Sequence, residues 1–134
     1  MMPNIAFIGM GEAGSAIVRG WRENQRGRIA AYDIKSDFPE TTDAMAAGCQ
    51  ELGIRSCSSA AEAVVDADLV LCTVTADQAV AAADAAANHL PRGAFWCDLN
   101  SCAPSSKRQA AGIIETAGGR YVDVAVMAPV QPKL

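Results

Sequence analysis

Short apolar runs alternate along the chain with longer stretches in which apolar residues recur every three or four positions. The runs predict strands over residues 4–9, 28–33, 54–56, 68–74, 93–98 and 120–126. The longer stretches predict helices over residues 12–25, 42–52, 60–66, 77–89 and 105–117, and the alanine-rich part of 77–89 has the period of an ordinary helix. In the first of these, Ala13, Ala16, Ile17 and Gly20 fall on one face, the spacing of a helix packed on a sheet. Pro104 stands where a helix start tolerates proline, and Gly118 and Gly119 where a helix stop favours glycine. Strands that alternate with helices imply right-handed βαβ units, and hence a parallel sheet covered on both faces. The fold class is α/β, doubly wound.

Composition narrows this reading. A length of 134 residues with 51% hydrophobic content suits a single domain over residues 1–134, built around one core. Only 5% of residues are aromatic, which favours helices packed closely on a sheet over an aromatic-rich β sandwich. The net charge of -4 gives no global attraction for nucleic acid or an anionic membrane, so neither is expected as a partner. Asp66, Asp68, Asp77 and Asp84 interrupt the most apolar part of the chain, which excludes a membrane span there. The run over residues 5–8 lacks the basic flank and cleavage pattern of a secretion signal, so a cytoplasmic location is expected. The five cysteines form no C-x-x-C pair; they are expected to be reduced, mostly buried thiols, and no metal is expected.

The stretch "IGMGEAG" carries the first chemistry, with Gly9, Gly11 and Gly14 between the first strand and the first helix. Gly9 permits a tight turn, Gly11 leaves room for a pyrophosphate, and Gly14 lets the helix approach the strand. The helix N-terminus then directs its N–H groups at the phosphates. An acidic residue, Asp33, ends the second strand at the distance expected for a ribose-binding carboxylate. The alternatives are glycines that only shape a turn and an aspartate that only ends a strand. As a ribose ligand, Asp33 favours NAD over NADP, although Lys35 and Ser36 could reach a 2'-phosphate. Ligands of a parallel sheet collect at the carboxyl ends of its strands. That edge also receives Thr73, Val74, Thr75 and residues 98–102 and 126–129. His89 closes a helix at the opposite edge, and Cys102 has no histidine nearby in sequence, so neither is expected to be catalytic.

The segments "IAFIGMGEAGSAI", "AAYD", "DADLVLCTVTADQAV", "CDLNSCAPSSKRQ" and "GGRYVDVAVMAPV" follow one another in an order that resembles the N-terminal Rossmann domain of the β-hydroxyacid dehydrogenases. That group includes 6-phosphogluconate and 3-hydroxyisobutyrate dehydrogenases. The resemblance implies cofactor contacts from Gly9, Met10, Gly11, Glu12, Ala13 and Gly14, from Asp33, Ile34 and Lys35, and from Thr73, Val74, Thr75 and Asn100. It also implies that Asn100 and Ser101 orient a small-molecule substrate beside the nicotinamide, whereas the residues alone suit a polar loop leading into the helix after Pro104. Two departures stand out. Met127, Ala128 and Pro129 occupy positions where the family commonly has a serine and two glycines. The chain also ends at Leu134, before the family's catalytic lysine, long interdomain helix and helical second domain. Lys107 and Lys133 lie outside the family's glycine-rich lysine motif, so no catalytic residue is expected within the chain, and binding is expected without turnover. "GEAGSAIVRG" also resembles the first helix of imine reductases of the pyrroline-5-carboxylate type, and a non-catalytic dinucleotide sensor is a third reading. A homodimer is expected if an apolar sheet edge is left exposed.

Overall fold

The computed structural model describes residues 4–9, 17–18, 20, 29–34, 38–100 and 103–124. In chain order these form β1 (Ile5–Ile8), β2 (Ile29–Tyr32), α1 (Pro39–Leu52), β3 (Arg55–Ser56), α2 (Ala60–Val64), β4 (Leu69–Cys72), α3 (Ala79–Ala87), β5 (Phe95–Asp98), α4 (Pro104–Thr116) and β6 (Arg120–Asp123). The strands make one six-stranded sheet in the order β3-β2-β1-β4-β5-β6. Every pairing is parallel. The chain therefore winds outward from β1 in both directions, and the order reverses between β1 and β4. Among the described residues no helix is long and apolar enough to cross a membrane.

The pairing register sorts side chains onto two faces, because successive residues of a strand point to opposite sides. Ala6, Val70, Trp96 and Tyr121 are in register and share one face. That face is buried under α2, α3 and α4, whose contributions include Ala63, Val64, Ala83, Ala86, Ala110 and Ile114. On the other face Phe7, Ile29 and Ala31 pack with Val18 and with Cys49 and Leu52 of α1. That second face opens toward the β6 edge, where Phe95 is 42% and Val122 37% exposed. The Arg120 guanidinium covers the Phe95 ring at 5.3 Å from its centroid, a cation–π contact.

Several elements begin or end away from the positions the apolar pattern predicts, for local reasons. The helix predicted from residue 42 starts at Pro39, since proline's fixed φ suits the first helical turn and its missing N–H needs no partner there. Gly53 stops it in the left-handed conformation at φ 74°. The helix predicted over 60–66 ends at Val64; its start is capped by the Ser59 hydroxyl, which accepts the Glu62 N–H at 3.1 Å. Glu62 reaches back to the N–H and hydroxyl of Ser58 (2.7 and 2.9 Å), and these bonds hold its carboxyl below the usual range. The stretch predicted as one helix over 77–89 divides into a 3-10 turn, Ala76–Gln78, and α3. The Gln78 N–H donates to the Thr75 carbonyl at 2.9 Å, the short-range bond of the tighter turn. Of the helix predicted over 12–25, Ile17 and Val18 are helical, and most of the rest lies outside the described residues. β6 is seen to Asp123, with residues 125 and 126 outside them.

Candidate functional site

The site is built where β1 and β4 run side by side and then diverge. The Thr73 N–H donates to the Ile8 carbonyl at 2.9 Å, and the Gly9 N–H to the Tyr32 carbonyl at 2.7 Å, so the exits of β1, β2 and β4 are tied together. The Thr73 hydroxyl adds a bond to the Gly9 carbonyl at 2.6 Å. Gly9 adopts φ 85°, and a Cβ on it would stand 2.6 Å from the Thr73 carbonyl oxygen. Only a residue without a side chain admits this approach of two backbones.

Above these exits lies a cavity of about 400 Å³, within the range of small-ligand sites. Its base is Ile8 and Gly9; Tyr32, Asp33 and Ile34 form one side, and Thr73, Val74 and Thr75 the other. Ala81, Ala82 and Ala85 of α3 give it an apolar wall. Asp33 is 8% exposed and Ile34 48% exposed, so the cavity offers a sheltered carboxylate beside an open apolar surface. A hydrogen bond from the Thr75 hydroxyl holds the Asp77 carboxyl below its usual range. An apolar wall, a sheltered carboxylate that can accept from hydroxyl groups and a base at Gly9 match what a nucleotide presents: a base, a ribose and a phosphate that needs close backbone approach.

Asn100 lies next to this cavity, 5% exposed, just beyond β5. Its Oδ1 accepts the Val74 N–H at 2.7 Å, and its Nδ2 points to the Cys72 sulfur at 3.4 Å. Asp98, 1% exposed, accepts the Asn100 N–H at 2.9 Å and the Tyr121 hydroxyl at 2.6 Å. The Lys107 ammonium stands 4.0 Å from Asp98 and also contacts the Asp123 carboxylate.

The fold thus brings together Gly9, Asp33, Ile34, Thr73, Val74 and Thr75, with Asn100 behind Val74. Met10, Gly11, Glu12, Ala13, Gly14, Lys35 and Ser101 lie outside the described residues, as do Ser36, Cys102, Met127, Ala128, Pro129 and Lys133. His89 is exposed in the turn after α3, on the side where the chain enters β5, far from the strand exits. Cys49, Cys57 and Cys97 are thiols whose pKa burial pushes up, which makes them poor nucleophiles. Sequence reasoning placed Asp98 at this edge but missed its link to Tyr121, and it missed the α3 alanines as a cavity wall. The recurrence of alanine through residues 79–87 was the available signal for the latter.

One family profile, the NAD binding domain of 6-phosphogluconate dehydrogenase, matches residues 4–130. No curated protein matches the chain. Among solved structures, a conserved hypothetical protein from Sinorhizobium meliloti 1021 is 41% identical, with a TM-score of 0.91 over 99% of this chain and 44% of its own. Mycobacterium tuberculosis 3-hydroxyisobutyrate dehydrogenase with L-serine is 23% identical, with a TM-score of 0.80 over 98% of this chain and 43% of that one. An imine reductase from Myxococcus stipitatus in complex with NADP+ is 22% identical, with a TM-score of 0.75 over 96% and 42%. The likeness to these last two is one of fold. The chain spans less than half the length of each of the three structures.

Proposed function

The chain belongs to the family of the NAD binding domain of 6-phosphogluconate dehydrogenase, and from that premise we propose that it holds the nicotinamide dinucleotide of an oxidoreductase acting on a small hydroxy acid, with NAD preferred over NADP. The observation that carries the reading is the cavity at the β1/β4 reversal with Asp33 on its side wall. Asp33 would accept the ribose hydroxyls, and its charge opposes a 2'-phosphate. Ile34 and the α3 alanines would receive the adenine, and Thr73 to Thr75 would lie along the nucleotide. The turn from Gly9 through Met10, Gly11, Glu12, Ala13 and Gly14 would meet the pyrophosphate, and Lys35 would flank the ribose. Asn100 and Ser101 would border the nicotinamide and the substrate. When bound, the nicotinamide gives or takes the hydride.

The proton acceptor belongs outside the described residues in this reading. His89 is at the wrong edge, and the Lys107 ammonium is engaged by Asp98 and Asp123. Imine reduction needs the same nucleotide and differs on the substrate side; oxidation of a hydroxy acid against reduction of a cyclic imine separates the two. A reducing compartment such as the cytoplasm fits the thiols at Cys49, Cys57 and Cys97. A homodimer belongs to the same reading, supported by the exposed Val122 on the edge strand β6 and the exposed Phe95 on its neighbour β5. Sedimentation velocity should show the apparent mass rising with protein concentration, and an unchanging monomer would count against it.

Calorimetric titration with NADH and NADPH tests the central reading. NADH is expected to bind the unaltered chain more tightly, and Asp33→Ala to weaken it by about tenfold, the loss of charge-assisted hydrogen bonds, while NADPH, relieved of the opposing charge, binds the variant more tightly than the unaltered chain. Equal affinity for the two nucleotides, or an Asp33→Ala variant that binds NADH unchanged, would remove the assigned role of the carboxylate.

A further inference from the structure

The nucleotide contacts proposed above give no role to Asp98 or Tyr121, which belong to a largely buried chain of polar groups behind the cavity. It starts on β6, where the Tyr121 hydroxyl donates to Asp98 Oδ2 at 2.6 Å. It continues from Asp98 Oδ1, which accepts the Asn100 N–H at 2.9 Å, and from Asn100 Oδ1, which accepts the Val74 N–H at 2.7 Å. Val74 lines the cavity; Tyr121 and Asp98 do not. A carboxylate taken this far out of water is costly unless its oxygens are used, and here each oxygen receives a donor. The Lys107 ammonium at 4.0 Å, shared with Asp123, offsets part of the charge. With both oxygens held, Asp98 closes the turn to Asn100 in one geometry, and the Asn100 side chain is aimed at β4 with both ends of its amide engaged.

We propose that Asp98 and Tyr121 are positioning residues for the nucleotide cavity: acting through Asn100, they fix the Val74 amide and with it the Thr73–Val74–Thr75 wall. The proposal rests on the nucleotide-binding reading above. It makes Asn100 a clasp between the exits of β4 and β5, so that the nucleotide wall is set from β6, on the far side of β5. A substrate-side segment and a nucleotide-side segment then move as one unit, because a single side chain joins them.

The test uses the whole chain, labelled with nitrogen-15, and the substitutions Tyr121→Phe, Asn100→Ala and both together. Tyr121→Phe removes one hydroxyl and keeps the ring. It is expected to shift the Val74 amide resonance upfield, to speed its hydrogen exchange, and to weaken NADH binding by about threefold to tenfold, the scale of one lost hydrogen bond. Asn100→Ala should do the same to Val74, and adding Tyr121→Phe to it should weaken NADH no further, since the two act through one path. Additive losses in the double variant would overturn the proposal. So would a Tyr121→Phe chain that melts earlier but keeps its Val74 resonance and NADH affinity, the result of a merely structural role. Failure of the unaltered chain to bind either nucleotide would instead defeat the nucleotide reading, and the Val74 resonance, which needs no ligand, would still decide whether the linkage exists.

Discussion

Gly9→Ala is expected to lower the stability of the chain by about 3 kcal/mol or more, read from urea unfolding followed by far-UV circular dichroism. Two effects add at this residue. Gly9 sits at φ 85°, where a side chain costs an L-residue roughly 1–2 kcal/mol. A Cβ there would also approach the Thr73 carbonyl oxygen at 2.6 Å, the Thr73 carbonyl carbon at 2.9 Å and Val74 Cγ1 at 2.8 Å. The Val74 side chain can turn away. The Thr73 carbonyl cannot, because the Thr73 N–H is bonded to Ile8 and its hydroxyl to the Gly9 carbonyl itself. Relief therefore has to come from moving the exits of β1 and β4 apart, which also opens the base of the cavity. Gly53 supplies the control: it has φ 74°, yet a Cβ there meets nothing within 4 Å. Gly53→Ala should show the backbone cost alone, about 1 kcal/mol. Equal losses from the two substitutions would mean that the β1/β4 exits yield easily, and that the cavity base is softer than its hydrogen bonds imply.

The same two strand exits show why so much of the site could be read before any coordinates. In a parallel sheet every strand leaves by the same edge, so Gly9, Asp33 and Thr73 are brought together by direction alone, although 64 positions separate Gly9 from Thr73, whose hydroxyl donates to its carbonyl. The apolar runs are equally direct signals: β1 and β2 carry residues buried on both faces, and β4 and β5 bury one face while the other still bears mostly apolar side chains. β3 gives no such signal: Arg55 and Ser56 are both exposed, and only its neighbours Ile54 and Cys57 mark the place. Helix ends were less legible, because Pro39 and Gln78 act through backbone geometry that leaves no trace in apolar spacing. The link from Tyr121 to Asp98 was not legible at all. It depends on the register that sets Trp96 beside Tyr121 and on the side chains then reaching across to the next pair, which no spacing within either segment encodes. The same holds for Asn100: its position at the edge follows from the fold class, but the turn of its amide toward Val74 does not.

The second large loss is expected at Trp96, the one bulky aromatic in the middle of the larger core among the described residues. It is fully buried in β5, between Val70 and Tyr121 in register. The helices over it present mainly small side chains to this core, Ala83, Ala86, Ala87 and Ala110, with Ile114 the large one. Alanines let α3 and α4 pack closely together, and the indole fills the space that they leave above the sheet. They also have no atoms to swing into a vacated site, so Trp96→Ala should leave most of its cavity open and cost about 3–5 kcal/mol, a large part of the stability of a domain this size. Trp96→Phe should cost far less than its lost volume suggests. Among the described residues the indole N–H has no hydrogen-bond partner, and removing a buried unpaired donor offsets about 1–3 kcal/mol of the lost packing. Urea unfolding by circular dichroism measures both; a Phe variant as unstable as the Ala variant would mean that the N–H is satisfied in solution. Because Asp98 and Asn100 follow Trp96 on the same strand exit, the pair of variants also separates core from cavity. Trp96→Phe should bind NADH as the unaltered chain does, whereas Trp96→Ala, by freeing β5 to shift, should loosen Asn100 from Val74 and weaken nucleotide binding together with stability.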